Sequence, residues 1–193
     1  MKILIAYDEA FNFVYRANID VLRRHGEAGF FSPMHDEIKL DCDMLYLPGG
    51  YPELFLKEIS ENRFMMNAIK TYAENGGMVY AECGGFMYLC NEIDGTPMCG
   101  VLPFKATMES ARLHLGYRKA MLPDGVLIRG HEFHYSDVID SYSPDVKRIC
   151  LQTSAKGAKT ATPIYRYKNV IAGYTHWYWA EQGFSFFNSI NKI

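Results

Sequence analysis

Hydrophobic positions follow two regimes along this chain of 193 residues. Over the first ninety or so, short apolar runs alternate with stretches of helical period. Residues 3–6 (Ile-Leu-Ile-Ala) predict a strand, and residues 11–25 carry helical periodicity. Phe30-Phe31 ahead of Ser32-Pro33 suits a second strand, and residues 44–47 a third that ends at Pro48-Gly49-Gly50. Residues 60–75 predict a helix with Phe64, Met65, Ala68, Ile69 and Tyr72 on one stripe, stopped by Gly76-Gly77. Residues 78–81 read as a buried strand and residues 86–89 as helix. Such alternation predicts an α/β fold: a mostly parallel central sheet with helices on both faces and ligands bound beyond the carboxyl ends of the strands.

From about Pro97 the period shortens. Strands are predicted over residues 100–104, 115–121, 126–136, 149–153, 164–167 and 170–174, separated by turns such as Pro123-Asp124-Gly125 and Lys168-Asn169. A last helix over residues 181–192 has Phe184, Phe187 and Ile190 at helical spacing, a face to pack on the sheet. The expectation is a flavodoxin-like arrangement with additional β-strands in the C-terminal half. With no repeat, low-complexity tract or linker, residues 1–193 read as a single domain.

Composition narrows the function classes. Hydrophobic residues are 49% and charged residues 22%, ordinary values for a soluble globular chain. A formal net charge of −2 offers no electrostatic case for nucleic acid or an anionic membrane. No apolar stretch approaches the roughly 20 residues that span a bilayer. The N-terminal run is ended at once by Asp8 and Glu9, unlike a signal peptide. Cys42, Cys83, Cys90, Cys99 and Cys150 are odd in number and contain no CxxC pair, which argues against a disulfide framework or a metal site. The expected compartment is the cytoplasm.

The chemistry centres on Tyr80-Ala81-Glu82-Cys83-Gly84-Gly85. A buried strand running into cysteine, two glycines and a helix is the layout of a nucleophile elbow, in which glycines relieve crowding around a strained residue. The helix N-terminus favours thiolate over thiol. A thiolate nucleophile needs a base. Of six histidines, His25 and His35 are expected at the surface, and His114 lies near a strand start. His176, just past a late apolar strand, holds the position an α/β enzyme gives its base, with His134 in reserve. Attack on a carbonyl also needs donors for the oxyanion. The Gly84 amide is one, and Gly49 and Gly50, after a neighbouring strand, offer another.

These features resemble the class I (triad) glutamine amidotransferase domain. More narrowly, several strings are similar to the C-terminal glutaminase domain of cobyrinic acid a,c-diamide synthase. They are Asp8-Glu9-Ala10-Phe11-Asn12-Phe13, Phe31-Ser32-Pro33, Leu47-Pro48-Gly49-Gly50-Tyr51-Pro52-Glu53-Leu54 and Ala81-Glu82-Cys83-Gly84-Gly85-Phe86-Met87-Tyr88-Leu89. Leu115-Gly116-Tyr117-Arg118 and Gly130-His131-Glu132-Phe133-His134-Tyr135-Ser136 continue the likeness over nearly the whole chain. The resemblance implies that Cys83 attacks the side-chain amide of L-glutamine, that His176 activates it, and that ammonia passes to an ATP-binding synthetase domain or subunit. That partner would use ATP and Mg2+ to amidate acetate carboxylates of a corrinoid.

The chain departs from the pattern in three places. Class I enzymes often carry a glutamate two residues after the histidine, but Tyr178 stands there, and Glu181 lies farther on. A third member would come from elsewhere, with Glu132 and Glu82 as candidates, or the site is a Cys–His dyad. The narrower family usually reads His-Leu-His where this chain reads His176-Trp177-Tyr178. No GxxxxGK[ST] loop is present, and Lys156-Gly157-Ala158-Lys159-Thr160 reads as a surface turn, so no ATP or metal site is expected on this chain. Other acceptors remain open: nickel sirohydrochlorin, cobyric acid or a peptidoglycan precursor. So does a redox-sensing protein of the same fold, in which Glu82 would steer oxidation of Cys83. An opening beside Cys83, lined partly by residues 130–136, is expected toward the synthetase.

Overall fold

The computed structural model describes residues 1–122, 124–149, 152–160 and 162–192. In chain order its elements are β1 (Lys2–Ala6), α1 (Arg16–His25), β2 (Glu27–Phe31), β3 (Met44–Leu47), a 3₁₀ turn (Pro52–Leu54), α2 (Leu56–Glu61), α3 (Arg63–Glu74), β4 (Met78–Glu82) and α4 (Gly84–Leu89). There follow β5 (Glu92–Ile93), β6 (Thr96–Pro97), β7 (Lys105–Thr107), β8 (His114–Met121), β9 (Leu127–His134), β10 (Asp137–Ile139) and β11 (Val146–Ile149). The last are β12 (Gln152–Ser154), β13 (Ile164–Tyr167), β14 (Val170–Gly173), β15 (His176–Tyr178) and α5 (Ser185–Ile190).

The apolar runs become the centre of a seven-stranded sheet ordered β11-β13-β14-β4-β3-β1-β2. Its five strands from β14 to β2 are parallel, and β13 and β11 add antiparallel pairs at one edge. Period-two alternation sends each strand's side chains to two cores. Leu45, Leu47, Val79, Ala81, Val170 and Ala172 pack with Met65, Ile69 and Ala73 of α3 and Phe86 of α4. Ile3, Ile5, Met44, Tyr46, Tyr80 and Ile171 pack on the other face with Leu22 of α1 and with Phe186, Phe187 and Ile190 of α5. Helices therefore cover both faces, as the alternation predicts. Opposed pairs Leu47–Ala81 and Gly173–Glu82 bring the carboxyl ends of β3, β4 and β14 level, so the segments after them emerge side by side.

A second sheet, β12-β8-β9-β15, is antiparallel and sends Ala120, Ile128 and Trp177 into the core shared with α1 and α5. A third joins β10-β7-β5-β6. Among the described residues no helix is long and apolar enough to cross a membrane.

Several predicted elements shift, each for a local reason. The helix expected from residue 11 begins at Arg16, because the Asp8 carboxylate takes the Ala10 and Phe11 amides and folds that stretch into a loop. The helix expected over residues 60–75 is two, broken at Asn62. The Asn62 side chain accepts from Met65 N–H and donates to the Pro33 and Asp36 carbonyls. Residues 100–104 are no strand. The amides of Cys99, Gly100, Val101 and Leu102 donate to carbonyls of Tyr88, Cys90 and Leu89 and wrap the end of α4. Of the strand expected over residues 149–153, Cys150 and Leu151 lie outside the described residues, and its flanks belong to different sheets. The last helix is shorter than expected and begins at Ser185. Residues 156–160 form the expected turn, with Gly157 N–H donating to the Ser154 carbonyl at 2.9 Å.

Candidate active site

Cys83 directly follows β4 with φ 48° and ψ −107°, a left-handed conformation that is strained in a residue with a Cβ. The strain is held from both sides. Cys83 N–H donates to the Gly173 carbonyl at 2.8 Å, and its own carbonyl accepts from Met87 N–H at 2.9 Å, starting α4. The next two residues must be small. A Cβ on Gly84 would lie 2.8 Å from Pro52 Cδ and 3.0 Å from Gly50 N, and one on Gly85 would overlap the Leu47 carbonyl. The Gly84 and Gly50 backbones are thus neighbours, and Gly50 lines the same cavity as Cys83.

Three of the strings singled out in the sequence meet here. Asp8 accepts from Ala10 and Phe11 amides, from the Ser32 hydroxyl at 2.8 Å and from Met34 N–H at 3.0 Å. Phe13 N–H then donates to the Gly49 carbonyl, and Tyr51 N–H to the Ala10 carbonyl, each at 3.0 Å. This stitching carries Phe13 and Tyr51 to the mouth of a cavity of about 270 Å3 lined by Phe13, Gly50, Tyr51, Cys83, His131, Phe133 and His176. Of residues 130–136, His131 and Phe133 line this cavity.

His176 opens β15 and is 3% exposed. Its ring is tilted on Phe13 with centroids 4.6 Å apart and stacked on His131 at 5.0 Å. It presses on Gly49, where a Cβ would overlap the imidazole Cε1. Burial would lower its pKa, but the Cys83 sulfur and the Glu82 carboxylate outweigh that and raise it to about 10. The Glu82 Oε2 lies 3.8 Å from His176 Nδ1. Cys83, His176, Glu82, Gly49, Gly50 and Gly84, all anticipated from sequence, are therefore one cluster, although Gly49 sits under the histidine.

Glu132 and His134 do not join it. Alternation along β9 turns His131 and Phe133 toward the cavity and Glu132 and His134 to the opposite face. There Glu132 is bound by Arg118 at 2.8 Å and by the hydroxyls of Thr162 and Thr175. Its burial would raise the carboxyl pKa, but His134, Arg118 and Thr162 hold it down at about 2. His134 donates through Nδ1 to the Ser136 carbonyl and stacks on Tyr174 at 3.7 Å. Glu181 points outward and pairs with Arg129, while Tyr178 rests edge-on to Tyr15 at 5.4 Å.

His131 was missed as a site residue, yet its signal is in the sequence: three positions separate it from His134, so on a strand the two face opposite ways. Its Nδ1 lies 2.6 Å from the Tyr15 hydroxyl, and burial first, then the charge of His176, push its pKa down.

Comparison with known proteins bears on this arrangement. Residues 2–184 match the model of the CobB/CobQ-like glutamine amidotransferase domain. A cobyrinate a,c-diamide synthase of Methanosphaera stadtmanae is 41% identical over 71% of this chain and 32% of its own length. A hydrogenobyrinate a,c-diamide synthase of Pseudomonas aeruginosa is 38% identical over 92% of this chain and 41% of its own. The chain thus spans well under half the length of these curated relatives. Among solved structures, a glutamine amidotransferase aligns with TM-score 0.62 at 17% identity over 99% of each chain. Another, from Thermotoga maritima, aligns with TM-score 0.59 at 12% identity, covering 91% of this chain and 75% of that one; both likenesses are of fold. With the family's model matched over nearly all of its length, the chain belongs to the CobB/CobQ-like glutamine amidotransferase domain family.

Proposed function

We propose that this chain hydrolyses L-glutamine as the glutaminase portion of a cobyrinate a,c-diamide synthase. The observation that carries the reading is Cys83, held in a left-handed elbow at the floor of a small cavity with buried His176 beside it. With the proton on His176, the Cys83 sulfur attacks the side-chain carbonyl carbon of glutamine. Charge develops on the amide oxygen, next to the Gly84 and Gly50 amides. His176 protonates the amide nitrogen, the carbon–nitrogen bond breaks, and ammonia leaves a glutamyl thioester on Cys83. Water then adds to the thioester as His176 takes its proton, glutamate departs, and the cysteine is restored.

The names of the relatives support the acceptor. Both are a,c-diamide synthases of cobyrinate or hydrogenobyrinate, so the ammonia would serve amidation of acetate carboxylates on a corrin-type ring. An ATP- and Mg2+-using synthetase domain or subunit would perform that amidation, because ammonia does not displace an unactivated carboxylate oxygen.

Exposure to 6-diazo-5-oxo-L-norleucine, a glutamine-mimicking alkylator, followed by intact-mass spectrometry and peptide mapping tests the reading. One adduct on Cys83, suppressed by excess glutamine, is expected. Absence of the adduct, both alone and with the ATP-binding portion of a relative added, would overturn the reading.

A further inference from the structure

Alternation along β4 sets Tyr80 and Glu82 on one face of the central sheet, and the Tyr46–Tyr80 register brings a second phenol beside them. Glu82 is 2% exposed. Its Oε1 accepts from the Tyr80 hydroxyl at 2.9 Å and from the Trp177 amide at 3.0 Å, and its Oε2 from the Tyr46 hydroxyl at 2.9 Å. All three donors are neutral, so they fix the carboxylate in space without cancelling its charge. Among the described residues, the one basic group within 4.0 Å is His176, whose Nδ1 lies 3.8 Å from Oε2 and has no other partner.

We propose that Glu82, the residue before the nucleophile, is the positioning carboxylate of this site, holding a proton on His176 Nδ1 so that Nε2 faces Cys83. The proposal rests on the glutaminase reading for the reaction it serves. Glu82 does this in two ways. Through the Trp177 amide it anchors β15, the strand that carries the histidine, to the end of β4. Through Oε2 it offers a negative charge to the imidazolium that forms when Cys83 gives up its proton. The elements that could supply another partner are otherwise engaged. The position two residues beyond His176 is Tyr178, packed on Tyr15, and Glu181 is paired with Arg129. The remaining groups on the ring are Cys83, the neutral surfaces of Phe13 and Gly49, and His131, which is tied to Tyr15. A nucleophile and its positioning carboxylate thus come from adjacent residues, turned apart by the strand's alternation and the elbow.

The test reads the state of His176 in the full chain. In a Cys83→Ala variant, at a pH above the His176 pKa, 15N NMR should find the neutral ring protonated on Nδ1; a neutral ring protonated on Nε2 would overturn the proposal. Glu82→Gln keeps a carbonyl oxygen for Tyr80 and Trp177 but removes the charge. In a Cys83→Ala background, which uncouples the sulfur's titration, it should lower the His176 pKa by about one unit or more. A residue that merely braces the fold would leave that pKa unmoved. With Cys83 intact, Glu82→Gln should cut kcat for glutamine hydrolysis by roughly 100-fold or more, with KM little changed. Alkylation of Cys83 with an unmoved His176 pKa would sink the role of Glu82 and keep the glutaminase reading. A shifted pKa with no alkylation under any condition would do the reverse.

Discussion

Two buried glutamate–histidine pairs place their histidines on opposite faces of the β12-β8-β9-β15 sheet, one with Glu132 of that sheet and one with Glu82 of the central sheet, and they are built for different ends. Glu132 meets Arg118 at 2.8 Å and two threonine hydroxyls, while His134 is 3.9 Å away and spends its Nδ1 on the Ser136 carbonyl. The Glu132 charge is answered by a guanidinium, and the cluster stitches β8 and β9 to the ends of β13 and β14. The hydrogen bonds to Glu82 come from two phenols and an amide, and among the described residues His176 is the one basic group within 4.0 Å of it. A carboxylate neutralised by arginine is an anchor; one surrounded by neutral donors keeps its field for the histidine. Residue types alone do not separate the pairs, since each is a glutamate near a histidine. Their neighbours do.

The sharpest way to break this contrast is at the sulfur. Cys83→Ser should abolish glutamine hydrolysis while leaving the melting temperature nearly unchanged, because a hydroxyl is far harder to ionise. His176→Ala should cost about 10²–10⁴ in rate. His134→Ala, in the other pair, should leave the rate of Cys83 alkylation essentially where it was. If His134→Ala stopped alkylation and His176→Ala did not, the two pairs would have been assigned the wrong way round.

Arg118→Ala should act on stability, leaving Glu132 buried without its cation, at a cost on the order of 3 kcal/mol by chemical denaturation. The pH dependence of the melt should carry the same signature. Glu132 has its folded pKa depressed to about 2, so the stability it contributes is present above the ordinary carboxylate range and is lost as pH falls toward 2. His176 runs the other way. Its folded pKa is raised to about 10, so its contribution is complete below its ordinary value near 6.5 and is lost as pH rises through 10. Arg118→Ala should flatten the acid limb alone, and His176→Ala the alkaline limb alone.

A smaller effect is expected at Gly49. A Cβ there meets the His176 ring, so Gly49→Ala should displace the imidazole and slow alkylation of Cys83 by about 10-fold or more, with little change in stability. An unaffected rate would mean that the ring can shift without loss, and that its seat on Gly49 is incidental.

Much of this site was legible beforehand because it is local. The elbow needs a strand, a cysteine and two glycines in sequence, and β4, Cys83 and α4 follow that order. The central parallel strands read plainly, since burial on both faces demands continuous apolar runs. Elements set by distant hydrogen bonds did not. Nothing in the helical periodicity of residues 11–25 reveals that the Asp8 carboxylate will take the amides of Ala10 and Phe11 and lay Phe13 across the cavity. Residues 100–104 have strand composition, but their amides are claimed by the end of α4.

By itself the sequence determined the α/β class and marked out the elbow cysteine, the histidine after a late strand and the glycines beside them as candidates, because chain neighbours and period-two alternation carry that information. Tertiary structure decided which glutamate faces His176. That choice depends on β15 leaving the central sheet to pair with β9, and on the Tyr46–Tyr80 register that encloses Glu82. Strand pairing between segments nearly fifty residues apart is a competition among long-range contacts, and no local pattern records its outcome.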